Sequence, residues 1–217
     1  MQRIFINIIF LILLTQTGQS QLRTGTSILY KYNERYLSIT INGARKKLPD
    51  QYCRMVFMDS LSFTYTFNED YKDPFRKTNV FSLSGLSRAT YYYSGSHKRI
   101  SVMKKKKNDR KVYQVADTAQ YYKWELFDDQ KTVAGFLCRS ALAFRNQTDS
   151  VIAWYTTEIP GTFSPGWYTG LPGVVLELQD NYTGDRFSAI NVESLDLDIR
   201  LPDNVIPVKN FHTLKQD

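Results

Sequence analysis

The stretch GFLCRSALAF, residues 135–144, alternates without a break: Phe136, Cys138, Ser140, Leu142 and Phe144 fall on one side, and Leu137, Arg139, Ala141 and Ala143 on the other. A period of two is the signature of a strand and cannot place one apolar face on a helix. Polar residues 145–150, RNQTDS, then turn the chain, and Val151, Ala153, Tyr155, Thr157 and Ile159 resume the alternation, so the two runs predict a hairpin. Upstream, YYKWELF (121–127) predicts a preceding strand, with Asp128 and Asp129 as its turn. Downstream, VVLELQD and RFSAINV flank the turn NYTG. Strands at 121–127, 136–144, 151–158 and 174–178 linked by short polar turns make an antiparallel meander. Earlier strands are expected at 27–32, 54–58, 62–67, 100–103 and 112–115, and any helix would lie between Tyr71 and Tyr93. The 15 Tyr and 13 Phe of the chain suit a pleated, half-buried surface. The fold class is therefore mainly β, with little helix.

A short basic head, an apolar run over residues 4–14 and the small residues Gly18-Gln19-Ser20 read as a secretory signal over residues 1–20. The apolar run is shorter than the roughly 20 residues a spanning helix needs. Residues 21–217 then form a single domain large enough for a real core, placed in a periplasm or outside the cell. No cysteine follows the cleavage site closely, which disfavours a lipid anchor.

Much of the net charge of +7 sits in MKKKKNDRK, residues 103–111. Export and the lack of a stacking or helix-turn-helix pattern argue against nucleic acid. Two readings of Lys104, Lys105, Lys106 and Lys107 remain. They solvate a hairpin tip and guard an edge, or they contact an anionic membrane surface or polysaccharide.

Between the strands ending near Glu158 and beginning at Val174, seven Pro and Gly residues are interleaved with Phe163, Trp167, Tyr168 and Leu171. A solvated linker would not carry such apolar bulk, so the connection reads as a compact flap, either plugging one end of the core or lining a binding site. No catalytic signature accompanies it. His97 and His212 sit in no metal or nucleophile motif, and there is no phosphate-cradling or nucleophile-elbow pattern. No metal or cofactor is expected. An enzyme using Glu125, Asp128, Asp129, Glu158 and Glu177, or Cys138, is the alternative reading. Cys53 and Cys138 share an oxidising compartment, where a disulfide, two free thiols and a reactive Cys138 are all open.

The ordered motifs YKWELFDDQKTVAGFLCRSA, AWYTTEIP, GLPGVVLELQD and FSAINVE resemble the GLPGLI family of exported Gram-negative envelope proteins, whose namesake motif falls at Gly170-Leu171-Pro172-Gly173-Val174-Val175. The resemblance covers residues 122–192, with Val-Val in place of Leu-Ile and Ser164 where the family often has Gly. It implies a secreted or periplasmic protein, with no established activity to transfer. The architecture is also similar to the curved half-barrel sheets of periplasmic lipoprotein carriers, which cup apolar acyl chains. That likeness implies a non-catalytic binding protein for an apolar molecule or another envelope protein, with Trp154, Phe163, Trp167, Tyr168 and Leu171 as ligand contacts and Gly170, Pro172 and Gly173 shaping the flap.

Overall fold

The computed structural model describes residues 22–33, 38–41, 44–47, 50–68, 73, 80–81, 90–94, 99–106, 109–116, 122–144, 149–200 and 204–208. The strands are β1 (Arg23–Asn33), β2 (Ser38–Ile41), β3 (Ala44–Lys47), β4 (Gln51–Met58), β5 (Leu61–Asn68), β6 (Val80–Phe81), β7 (Thr90–Ser94) and β8 (Arg99–Lys106). They continue with β9 (Asp109–Ala116), β10 (Trp124–Val133), β11 (Phe136–Phe144), β12 (Ser150–Thr156), β13 (Val174–Asp180), β14 (Arg186–Ile199) and β15 (Ile206–Val208). No helix occurs among the described residues. The stretch 71–93, where a helix was left open, is described only at Asp73, in β6 and over most of β7.

One open sheet runs in the order β10-β11-β12-β13-β14-β1-β4-β5-β7-β8-β9-β15, with β6 beside β14 and a separate β2–β3 hairpin. All pairings are antiparallel except β6–β14 and β9–β15. The expected hairpin is β11–β12, in register from Arg139↔Tyr155 to Phe144↔Ser150. Two meanders are thus present, β10 to β14 and β4 to β9, and β1 is inserted between them.

The sheet cannot be flat. Seven inter-strand steps separate β14 from β15, about 34 Å at roughly 4.8 Å per step. The chain from Ile199 to Ile206 reaches only about 25 Å at roughly 3.6 Å per residue. The sheet therefore curls, and its two halves curl onto opposite faces. Register puts Ile28, Tyr30, Met55 and Cys53 on one face. There the Tyr30 hydroxyl reaches across β14 to donate to the Val175 carbonyl of β13 at 2.6 Å, and a large core gathers Tyr30, Met55, Leu176, Leu178 and Phe187. The other face carries Val56 opposite Phe63, which join Met58, Tyr65, Leu197 and Ile199 in a second core. On this second face, opposite Tyr65, Arg54 donates to Asp73 (2.6 Å), Ser27 (2.7 Å) and Glu193 (3.0 Å). Tyr65 donates to the other Asp73 oxygen at 2.6 Å.

Two expectations are corrected. Asp128 and Asp129 are not a turn: they lie inside β10, where the register slips between Leu126 and Gln130. The turn comes at Ala134-Gly135, with φ of 50° and 89°, the two positive values that a twisted two-residue hairpin requires. Aspartates at an exposed bulge and aspartates at a turn look alike in sequence, because both are places where the ladder is interrupted. The lysines are not confined to a tip either. β8 and β9 pair as far as Lys106↔Asp109, which puts Lys104, Lys105 and Lys106 in the strand, while Lys107 lies outside the described residues.

Cys53 and Cys138 are not paired. Both are free and buried, on β4 and β11, and both belong to the larger core. Burial, then the neighbouring Asp185, pushes the Cys53 thiol far up; burial also pushes Cys138 up, to about 11. Iodoacetamide should therefore modify neither cysteine in the native protein, and both in unreduced protein unfolded in guanidinium.

Tyr30, Tyr65 and Tyr168 are likewise pushed up, chiefly by burial. These are acids whose folded pKa lies above the unfolded one, so the unfolded chain loses protons first as pH rises. The contribution of the two thiols is complete below about pH 8.5 and that of the tyrosines below about pH 10, their ordinary pKa values. Above these values, stability should fall by up to about 1.4 kcal/mol per pH unit for each titrating group, read as a lower urea midpoint at alkaline pH.

Candidate functional site

The β12–β13 connection, residues 157–173, folds back over the open end of the larger core. Its two ends meet at the Thr156↔Val174 pair. The Thr156 hydroxyl accepts from the Glu158 amide at 3.2 Å, which turns the chain out of β12, and Ile159 drops back into the core. Phe163 lies against Phe57 with ring centroids 4.7 Å apart. Its carbonyl accepts from the Val175 amide at 2.9 Å, so the flap is stitched to the strand it precedes. Tyr168 and Leu171 are buried.

Two glycines make this path available. Gly170 sits at φ +100°, and a Cβ on Gly173 would overlap the Thr156 carbonyl oxygen, so the loop closes only where no side chain intervenes. Pro172, between them, is exposed.

The flap delivers its aromatics to a row already supplied by the strands. Tyr122 and Trp124 are 5.5 Å apart, Tyr122 and Tyr168 5.5 Å, Tyr168 and Trp167 6.0 Å, and Tyr168 meets the Phe187 ring edge-on at 6.3 Å. Phe187 stacks in turn on Tyr32 at 4.8 Å. The polar tips are tied to protein: Trp124 Nε1 donates to the Thr169 carbonyl (2.9 Å), the Tyr168 hydroxyl to Asp180 (3.0 Å) and the Tyr32 hydroxyl to Asp185 (2.8 Å). Burial, then Asp185 and Asp180, holds the Tyr168 phenol protonated well above its usual range. Asp180 is fully buried and accepts from the amides of Tyr182 (2.8 Å) and Thr183 (3.1 Å), which locks the 180–185 turn beneath the row. Trp124 and Trp167 remain half-buried at the outer end.

Of the five candidate contacts, Phe163, Tyr168 and Leu171 are buried in the larger core, and Trp167 and Trp154 both pack against it. Trp154 does so from β12, where it pairs with Ser140 and Glu177. There the Lys131 ammonium lies 4.3 Å from its ring centroid and 2.6 Å from Glu177. Sequence reading missed Tyr122, Trp124, Tyr32 and Phe187, since nothing local shows which strand aromatics converge. Asp180 had a usable signal: aspartate three residues before a threonine-glycine turn accepts backbone amides readily.

Three of the five carboxylates of the enzymatic alternative hold structural partners. Glu177 holds Lys131, Glu158 accepts from the Leu137 amide at 3.3 Å, and Asp129 accepts from Ser140 at 3.3 Å. Cys138 is buried with its thiol pushed up to about 11, the reverse of the lowered pKa a thiolate nucleophile needs. Among the described residues no three His, Cys, Asp or Glu side chains cluster closely enough to hold a metal ion. His97 and His212 lie outside those residues.

Residues 86–177 match a family model described as a protein of unknown function, Porph_ging. The span contains β7 to β12, the whole flap and the start of β13, so the similarity is centred on the site. No curated protein matches the chain in sequence. Among solved structures, PNGF-II is similar in a C2 crystal form, at TM-score 0.59 and 11% identity over 89% of this chain and 32% of that one. A P21 form gives TM-score 0.58 and 10% identity over 89% and 33%. At such identity the likeness is one of fold, and this chain spans about a third of PNGF-II's length. A LolA superfamily protein, NE2245 from Nitrosomonas europaea, matches at 8% identity over 85% of this chain and 89% of that one. Its TM-score of 0.25 does not establish a shared fold.

Replacing Gly170 by Val should cost about 1 to 3 kcal/mol through backbone strain. Leu171→Ala should cost about 2 to 5 kcal/mol through the cavity it leaves. Tyr168→Phe, which strips one donor from buried Asp180, should cost about 1 to 3 kcal/mol. Urea unfolding of the three variants checks each value.

Proposed function

We propose that the protein is an exported, non-catalytic binding protein that takes an apolar, lipid-like or aromatic molecule where the flap meets the sheet. The observation that carries this reading is the continuous aromatic row from half-buried Trp124 and Trp167 through Tyr122 and Tyr168 to Phe187. A core needs no such graded exposure, whereas apolar binding sites are concave, aromatic-lined and carry few polar groups. Ser164 adds support: it is buried on the flap, and its hydroxyl has no hydrogen-bond partner among the described residues. An orphaned hydroxyl is costly, and a ligand's polar end would relieve it. Because Phe163, Tyr168 and Leu171 fill the space beneath the flap, entry of a ligand requires the flap to lift from Trp124 and Phe57. The reading of residues 1–20 as a secretory signal supports a site of action in the periplasm or outside the cell.

The test is titration with N-phenyl-1-naphthylamine, following both energy transfer from the indoles and probe emission. Saturable binding is expected, weakened about tenfold by Trp167→Ala, a change of roughly 1.4 kcal/mol. The urea midpoint should move less, because Trp167 is only half-buried. Equal probe affinity in wild type and variant would leave the flap as a plug of the core.

A further inference from the structure

The β8–β9 register extends the hairpin beyond both neighbouring strands. β7 ends its pairing at Thr90↔Met103, and β15 begins its own at Ile206↔Tyr113. In the ladder, residues 104–106 and 109–111 are partners of one another: Lys104↔Lys111, Lys105↔Arg110 and Lys106↔Asp109. The result is a two-stranded ribbon projecting about 10 Å past the sheet, at roughly 3.3 Å per residue over three residues.

Such a ribbon is poorly placed to stabilise the fold. Two-stranded segments are marginal by themselves, and like charges directly opposite across a ladder are destabilising. Here two of its three pairs set cation against cation, and Asp109 is its one carboxylate. Edge protection alone would need one or two lysines on an edge strand, not opposed cations on both strands.

We propose that this ribbon is a docking element for an anionic phospholipid surface. The composition selects that partner. Four of the five cations in the paired residues are lysines, mobile point charges suited to a diffuse field of phosphates, whereas arginine is favoured where an anion is read by bidentate geometry. Residues 103–111 contain no aromatic side chain, so single-stranded nucleic acid would find no stacking platform. No described helix is long and apolar enough to cross a membrane, so contact of this kind is peripheral and electrostatic. The ribbon belongs to the opposite half of the sheet from the aromatic row, and its test does not depend on the ligand reading.

Full-length mature protein should float with vesicles of equal parts phosphatidylglycerol and phosphatidylcholine, and not with phosphatidylcholine alone. Raising salt from about 0.1 M to 1 M, which shortens the screening length from about 10 Å to about 3 Å, should release it. Each cation removed should weaken partitioning roughly fivefold. The variant carrying Lys104→Gln, Lys105→Gln, Lys106→Gln and Arg110→Gln should lose at least about a hundredfold while keeping the wild-type urea midpoint or exceeding it. Unchanged flotation of that variant overturns the proposal, as does equal binding to uncharged vesicles. Retention on a sulfated polysaccharide without flotation on anionic vesicles overturns the lipid assignment in favour of a polysaccharide partner.

Discussion

Pairing of β1 with β14, from Arg23↔Leu197 to Asn33↔Arg186, brings together residues more than 150 positions apart. Around this seam every other part of the molecule is arranged. It joins the β10–β14 meander to the β4–β9 meander, and without it the two would be separate sheets with open edges. Because one half curls onto each face, β4, next to β1, is covered on both sides. β4, with the sequence QYCRMVFM, accordingly has no fully exposed position. Arg54 is the one charge among these buried strand residues. It is tolerable there because Asp73, Ser27 and Glu193 satisfy its donors, which is the condition for keeping a charge out of water.

The seam also governs the flap. Tyr30 belongs to β1, yet its hydroxyl binds the carbonyl of Val175 just beyond the GLPG turn, and Tyr32 and Phe187 floor the aromatic row from β1 and β14. The flap is thus held at both ends by its own hairpin and from beneath by the first and last long strands. A loop anchored in this way is costly to distort locally and still has half-buried indoles at its rim. Stability and binding then draw on the same aromatic residues. Phe163, Tyr168 and Leu171 lean to the first role; Trp124 and Trp167 stand at the second.

Opposed to this packed half is the charged ribbon, in whose ladder cation is set opposite cation at two of three positions. The molecule concentrates burial and hydrogen bonding in the strands that wrap the larger core and leaves like charges facing one another at the far end of the sheet. A chain under pressure only to fold would disperse those lysines.

Legibility followed the range of the interactions involved. The period of two in residues 136–144 is a local property, set by the alternation of Cβ atoms along a strand. It determined the β11–β12 hairpin, the β class and the compactness of the flap, whose prolines and glycines restrict backbone torsions whatever surrounds them. Asp128 and Asp129 were misread because a bulge and a turn make the same local demand, and only pairing with β11 decides between them. The burial alternation in β11 itself shifts from Cys138 and Ser140 to Ala141 and Ala143, a consequence of the coiling sheet that no single strand encodes. Tertiary structure alone decided that Lys131 lies over Trp154, that Cys53 and Cys138 stay unpaired, and that Tyr122 and Phe187 meet Tyr168. Each depends on which strands become neighbours and toward which face the sheet curls, and those are contacts between residues tens to more than a hundred positions apart.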